Sequence, residues 1–219
     1  VVEATKLAFA DREAFYGDTN FNKVPMETLL SEEYNIQRRN LISETASMEV
    51  RPGNIPGFGG NVLVRPKGTT PESFSKFDIG EPTVARFDEP NPNSLGETKG
   101  DTTHFDIIDK WGNMIAGTPS GGWLQSSPII PKLGFCLSNR GQMFWLDDKS
   151  PACIGPKRRP RTTLSPSLAL KNGLPYMVFG TPGGDQQDQW SLHLFLRHVH
   201  FGLNLQEAID APGFSTAHF

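Results

Sequence analysis

The chain has 219 residues, a net charge of −3, 37% apolar and 21% charged side chains, the make-up of an ordinary globular protein of one or two domains. The acidic balance argues against a nucleic-acid binder that gains its affinity by neutralising phosphates, and no apolar run approaches the roughly 18 residues of a membrane helix. Two cysteines, Cys136 and Cys153, are too few for a disulfide framework and have no metal-ligand spacing.

The first residues, from Val1 to Phe9, already follow a helical pattern without an initiator methionine, and the chain stops at His218-Phe219 with no terminating signal. The expectation is a piece of a larger protein. Ala4, Leu7, Ala8 and Phe15 fall on one face of a helix that Gly17 would stop. Ser31-Glu32-Glu33-Tyr34 predicts a second helix start, ahead of Ile36 and Leu41. From Arg51 to Gly100 prolines and glycines leave little room for regular structure, which suits a processing loop. Beyond Thr102 the pattern turns to strands. A hairpin is predicted from Phe105–Ile108 and Met114–Ala116 around Lys110-Trp111-Gly112-Asn113, and another from Ser167–Leu170 and Tyr176–Phe179 around Lys171-Asn172-Gly173. Thr181-Pro182-Gly183-Gly184 then leads into a helix carrying Leu192, Phe195, Leu196 and Val199 at i, i+3, i+4 and i+7, ended by Gly202. Asn204 and Glu207 cap a last short helix that Pro212 stops. Helices, then sheet, then helices predicts a layered α+β fold.

Three stretches hold residues suited to chemistry. In Gly100-Asp101-Thr102-Thr103-His104 a cut after Asp101 would turn Thr102 into an N-terminus. Its new α-amine, with a pKa of roughly 7.7–8.0, would serve as the base for its own hydroxyl. The plainer reading is that two β-branched residues simply begin a strand. Gly183 and Gly184, between a strand and a helix, let backbone N–H groups approach an oxyanion, although such turns also use glycine for steric reasons. Thr162 and Thr163, within Pro160-Arg161-Thr162-Thr163-Leu164-Ser165-Pro166, offer paired hydroxyls to a substrate carboxylate; a polar loop explains them equally well.

Taken in order and spacing, these stretches resemble the γ-glutamyltranspeptidase family over the whole chain. The matching residues are Thr102-Thr103-His104, Asp109-Lys110-Trp111-Gly112-Asn113, Pro156–Pro160 with Thr162–Pro166, Thr181–Gly184, Phe201–Asn204, Glu207-Ala208 and Asp210-Ala211-Pro212, preceded by Leu7–Arg12 and Tyr16-Gly17-Asp18. The resemblance implies an N-terminal-nucleophile hydrolase with a four-layer αββα sandwich, matured by autoproteolysis. Residues 1–101 would be the C-terminal part of the large subunit with its processing loop, and 102–219 the small, catalytic subunit. Thr102 then matches the nucleophile, Asp101 and Thr102 flank the cleaved bond, and Gly183 and Gly184 match the oxyanion hole. Ser120 matches a threonine that supports the nucleophile, and Thr162 and Thr163 match two serines at the substrate's α-carboxylate. The implied partners are a small γ-glutamyl or related acyl amide and the remainder of the large subunit, with a homodimer left open; no cofactor is implied. Family analogy points to the periplasm or the exterior.

The departures lie where the family grips the α-ammonium. Its asparagine position is Gly122 here. The other two positions fall in Asn139–Trp145, on Arg140 and Met143 or on Gln142 and Trp145 according to register, with no aspartate in either. An unpaired ammonium there would be costly; Asp147 or Asp148 would replace the aspartate only in a reshaped loop. An acylase on the same fold, taking glutaryl or cephalosporin-type substrates, is therefore an alternative, and an unprocessed non-catalytic homologue is another. Lys157-Arg158-Arg159-Pro160-Arg161 reads as a solvated or internally paired loop rather than a phosphate site. His198-Val199-His200 lacks a third ligand, and residues two apart on a helix do not face each other. Asp185, Gln186, Gln187, Asp188 and Gln189 open a helix, where acidic groups suit the dipole; a substrate role is the other possibility.

Overall fold

The computed structural model describes residues 1–59, 102–122 and 127–216, so the predicted irregular stretch and Asp101 fall almost wholly outside the described residues. The chain divides into two compact units, Val1–Phe77 with Arg140–Thr162 and Thr216–Phe219, and Asp78–Asn139 with Thr163–Ser215.

In the first unit α1 spans Val2–Phe15, α2 Met26–Leu29 and α3 Glu32–Arg39. The Ser31 hydroxyl accepts the Tyr34 N–H at 3.2 Å and starts α3 as the sequence suggests. The buried side of α1 differs from the predicted face. Leu7 and Phe15 are buried, but Ala4 and Ala8 are exposed, and Asp11 and Ala14 take the inner positions. An ion pair rotates the helix: Arg38 Nε meets the Asp11 carboxylate at 3.0 Å, and the Gly53 N–H donates to the same carboxylate at 2.7 Å. For the same reason α3 turns Tyr34 and Arg38 inward, four residues apart, and leaves Ile36 and Leu41 exposed. Ala14, Phe15, Tyr34 and Ile55 form the core, with Leu29 and Phe58 packed against it. Burial pushes the Asp11 carboxyl above the usual carboxylate range despite these donors.

The helix does end before Gly17, for a different reason from the one predicted. Tyr16 is extended, and a Cβ on Gly17 would lie 2.3 Å from the Pro151 carbonyl oxygen, so glycine is required by close approach of the 151 segment. That segment, which includes a 3-10 turn at Arg140–Met143, is tied to α1 and its exit. Trp145 Nε1 donates to Glu13 at 3.0 Å, Asn22 Nδ2 to the Pro151 carbonyl at 2.8 Å, and Arg159 donates to Asp18 from Nη2 at 2.8 Å and from its backbone at 2.7 Å. The basic run is thus internally paired through Arg159.

The Arg159 guanidinium and backbone hold the Asp18 carboxyl well below its ordinary range. A depressed carboxyl stabilises the fold above its unfolded pKa, about 3.9, and loses that contribution as pH falls further. In the full-length protein Asp18→Asn should lower the Tm at pH 7, with the gap to wild type narrowing progressively below pH ~4. Melting curves at pH 7, 4 and 2.5 check this; a gap independent of pH would count against it.

In the second unit β1 (Phe105–Ile108) pairs antiparallel with β2 (Met114–Gly117), Phe105 opposite Gly117 and Ile108 opposite Met114. Their turn is organised by Asp109, whose carboxylate accepts the Trp111 and Asn113 N–H groups at 2.9 Å and the Asn113 side chain at 2.7 Å. A small hairpin of β3 (Ile129–Ile130) and β4 (Phe135–Cys136), too short to show a period, escapes the sequence reading. β5 (Ser167–Lys171) and β6 (Leu174–Phe179) form the second predicted hairpin. Asn172 (φ 53°) and Gly173 (φ 76°) make the two-residue left-handed turn that favours this pair of residues.

The last two helices are α4 (Gln186–Val199) and α5 (Leu205–Asp210). Asn204 and Glu207 form the expected capping box. The buried side of α4 again departs from hydropathy: Gln187, Gln189, Ser191 and His193 are buried, whereas Leu192 and Val199 are exposed. Polar anchors set its rotation. Tyr176 Oη pairs with His198 Nε2 at 2.8 Å, His198 Nδ1 lies 2.8 Å from the Leu203 carbonyl, and Phe195 stacks on Phe179 of β6. His198 is therefore engaged within the fold.

Candidate active site

Thr102 lies three residues before β1, beside the stretch leaving β2. Thr102 is 3% exposed, and its Oγ1 is 2.8 Å from Ser120 Oγ. The 102–104 and 118–120 segments continue the hairpin's antiparallel course: the Thr103 N–H donates to the Pro119 carbonyl at 3.3 Å, and His104 Nδ1 sits 2.8 Å from Thr118 Oγ1. The other ring nitrogen of His104, Nε2, is 2.8 Å from the Asp106 carboxylate. Since a carboxylate only accepts, a neutral ring would carry its proton on Nε2 and accept a hydrogen bond from the Thr118 hydroxyl at Nδ1. Gly180 makes room for this ring, because a Cβ there would stand 2.3 Å from His104 Cε1. The hydroxyl of Thr102 is thus held on a braced hairpin rather than on a free loop.

A second cluster surrounds the turn into α4. Gly183 has φ 125°, a region suited to glycine, and a Cβ there would also lie 3.3 Å from Trp190. Gly184 and Asp185 are buried directly before the helix. Gln187 donates through Nε2 to the Gly183 carbonyl and lies 3.5 Å from Thr163 Oγ1. Thr163 is 3% exposed, and Ser165 donates to its carbonyl at 3.1 Å and to the Asp188 carboxylate. The Thr163–Ser165 loop is thereby laced to the first turn of α4. The turn thus brings a helix start, the Gly183–Gly184 backbone and the buried Thr163 hydroxyl together.

The residues foreseen from sequence fall into separate groups. Thr102 with Ser120 forms one pair, and Thr163 with Gly183 forms another through Gln187. Thr162, exposed, belongs to the other unit together with Arg140 and Gln142 of the 3-10 turn. Asp147 spends one carboxylate oxygen on the Lys149 N–H at 2.9 Å. Gly122 is exposed, with the backbone of β4 along one side: a Cβ would be 3.3 Å from the Cys136 carbonyl oxygen and 3.6 Å from that of Leu137. Sequence reasoning gave no individual role to His104, Thr118 or Gln187. The last was grouped with the acidic helix opening, and no local pattern marks it as the buried member.

The family model described as Gamma-glutamyltranspeptidase matches residues 1–219. The chain belongs to this family. The glutathione hydrolase proenzyme of Pseudomonas sp. (strain A14) is 29% identical, over 97% of this chain and 32% of that protein. Among solved structures, "Structure of LmbA2991HD" superimposes with a TM-score of 0.71 at 49% identity, covering 96% of this chain and 33% of that one. The cephalosporin acylase from Bacillus halodurans gives 0.67 at 27% identity, covering 97% and 31%. The chain thus spans about a third of the length of the family relatives it matches. The described residues are a mixture of helices and antiparallel hairpins, in keeping with those neighbours.

Proposed function

We propose that the chain carries the nucleophile and oxyanion hole of an autoprocessed amidohydrolase or acyltransferase that cleaves γ-glutamyl-type amides. The observation that carries this reading is the buried Thr102 hydroxyl, 2.8 Å from Ser120 Oγ, three residues ahead of β1. Residues 1–101 then belong to the large subunit and 102–219 to the small one, within a four-layer αββα sandwich completed by the rest of the proenzyme.

In maturation Thr102 Oγ1 adds to the Asp101 carbonyl carbon, and the peptide C–N bond breaks as the Thr102 nitrogen takes up a proton. Water hydrolyses the resulting ester, leaving the Asp101 carboxylate and a free Thr102 amine. In turnover that amine takes the hydroxyl proton while Oγ1 attacks the substrate carbonyl. Gly183 and Gly184 donate to the oxyanion, the leaving amine recovers the proton, and water or a second amine releases the acyl group. Thr162 and Thr163 hold the substrate carboxylate.

Ser120 orients Oγ1. Ser120→Ala should slow both maturation and turnover by about 5- to 160-fold, the value of one lost hydrogen bond of roughly 1–3 kcal/mol, while Ser120→Thr stays near wild type. Rate constants for both steps in the two variants check this.

A second reading, an acylase for donors without an α-ammonium, is favoured by the glycine at 122, which has no side chain to offer an ammonium. With glycine in place of the family's asparagine, an α-ammonium loses one of its partners. Kinetics on γ-glutamyl and glutaryl anilides with the full-length protein discriminate the two by kcat/KM. The enzyme reading itself is tested by intact mass. Two fragments meeting between Asp101 and Thr102 support it, and a single uncut chain without amidase activity would leave a silent homologue.

A further inference from the structure

Among the described residues, the largest fully buried side chain is a polar one, Gln187, at 1% exposure. Its surroundings explain why an amide is worth burying there. Nε2 donates to the Gly183 carbonyl and lies 3.5 Å from Thr163 Oγ1, and its own N–H donates to the Gly184 carbonyl at 3.1 Å. Oε1 is buried with no hydrogen-bond partner among the described residues. An unpaired buried acceptor is a standing cost that a leucine or methionine of similar size would avoid. Its neighbour gains from the arrangement.

The peptide between two glycines is the least restrained kind in a chain, because neither residue has a Cβ to exclude alternative φ and ψ. Gly183 already occupies φ 125°. A peptide plane carries its C=O and the following N–H in opposite directions. Fixing the Gly183 carbonyl therefore fixes the direction of the Gly184 N–H, one of the two donors assigned above to the oxyanion. We infer that Gln187 is a positioning residue: its side-chain amide locks the Gly183–Gly184 peptide in the orientation that stabilises the oxyanion, and couples that peptide to the Thr163 hydroxyl. The inference rests on the proposed roles of Gly183, Gly184 and Thr163. It assigns no contact between Gln187 and the substrate.

The test uses the full-length processed protein with Gln187→Met, which keeps length and removes the donor, and Gln187→Glu, which keeps shape. The substrate is whichever anilide the wild type prefers, and the probe is a boronic acid with the same acyl side chain, which adds to Thr102 Oγ1 as a tetrahedral anion. In Gln187→Met, kcat should fall about 10- to 100-fold, as for a misplaced catalytic dipole. KM should stay within about threefold, and boronate affinity should fall in step with kcat. Gln187→Glu should recover boronate affinity as pH is lowered, since only the protonated carboxyl can donate to the Gly183 carbonyl. Equal weakening of substrate and boronate, or no change in either, overturns the inference.

Hydrogen exchange at residues 183–185 keeps the result readable without turnover. Faster exchange confined to that turn in Gln187→Met is expected. Unchanged exchange overturns the positioning role even in an inactive protein. Faster exchange in Gln187→Met, where the wild type neither cleaves itself nor hydrolyses an anilide, would instead overturn the enzyme reading and leave the brace standing. Should Gln187→Met fail to fold, Gln187→Glu across pH carries the same decision.

Discussion

Thr102→Ala is expected to leave one uncut chain and to abolish amide hydrolysis, a loss of at least ~10⁴-fold. A nucleophile that is also its own base leaves no partial catalyst behind when its hydroxyl goes, and single losses within such a unit cost nearly as much as losing all of it. Alanine also leaves Ser120 Oγ without the partner it has at 2.8 Å. Thr102→Ser separates the chemistry from the fold. Serine keeps the hydroxyl and the future amine but deletes a methyl from a site 3% exposed, at a cost of about 1 kcal/mol in packing. It should therefore process and turn over, more slowly than wild type by roughly tenfold. Intact mass against time, with anilide hydrolysis by the matured fraction, reads both variants. Processing by Thr102→Ala would place the nucleophile elsewhere. A silent Thr102→Ser would show that the hydroxyl alone is not what the site requires.

The second large effect is expected at the turn into α4. Gly183→Ala forces a Cβ onto a residue at φ 125°, a strain of about 1–3 kcal/mol, and sets that Cβ 3.3 Å from the Trp190 ring. The turn must relax, and relaxation moves the N–H groups that would meet the oxyanion. Loss of one such donor typically costs about 10²–10³-fold in kcat. The expected pattern is a kcat lowered by that factor, a lower Tm and a KM changed far less. Steady-state kinetics with a melting curve test it, and a variant as active as wild type would remove the oxyanion role from this turn. Gly180→Ala provides a contrast. There the obstacle is the His104 ring at 2.3 Å, so stability and the placement of Thr102 should suffer together.

Much of this was readable in the chain. The β1–β2 and β5–β6 hairpins follow from alternation and turn residues, because Asp109 and the Asn172-Gly173 pair act within a few residues of themselves. Ser31 and the Asn204–Glu207 box are equally local, and they start helices where the text says they should. The order and spacing of the Thr102, Thr162–Thr163 and Gly183–Gly184 stretches was enough to mark the family.

What the sequence could not decide is which side of a helix faces inward. Ala4, Ala8, Leu192 and Val199 read as core and are exposed. Asp11, Arg38, Gln187 and His193 are polar and are buried. Hydropathy assigns a side chain its cost in water, but these four are placed by their surroundings: Arg38 for Asp11, the Gly183 carbonyl for Gln187, the Phe214 ring for His193. The partners lie 27 residues apart for the ion pair and 24 for Gln187 and Thr163, distances over which no helical or strand period carries information. The chain by itself determined its two longer hairpins, the caps of α3 and α5 and its kinship. The tertiary structure alone decided which polar groups were worth burying, because that depends on donors and acceptors meeting in space.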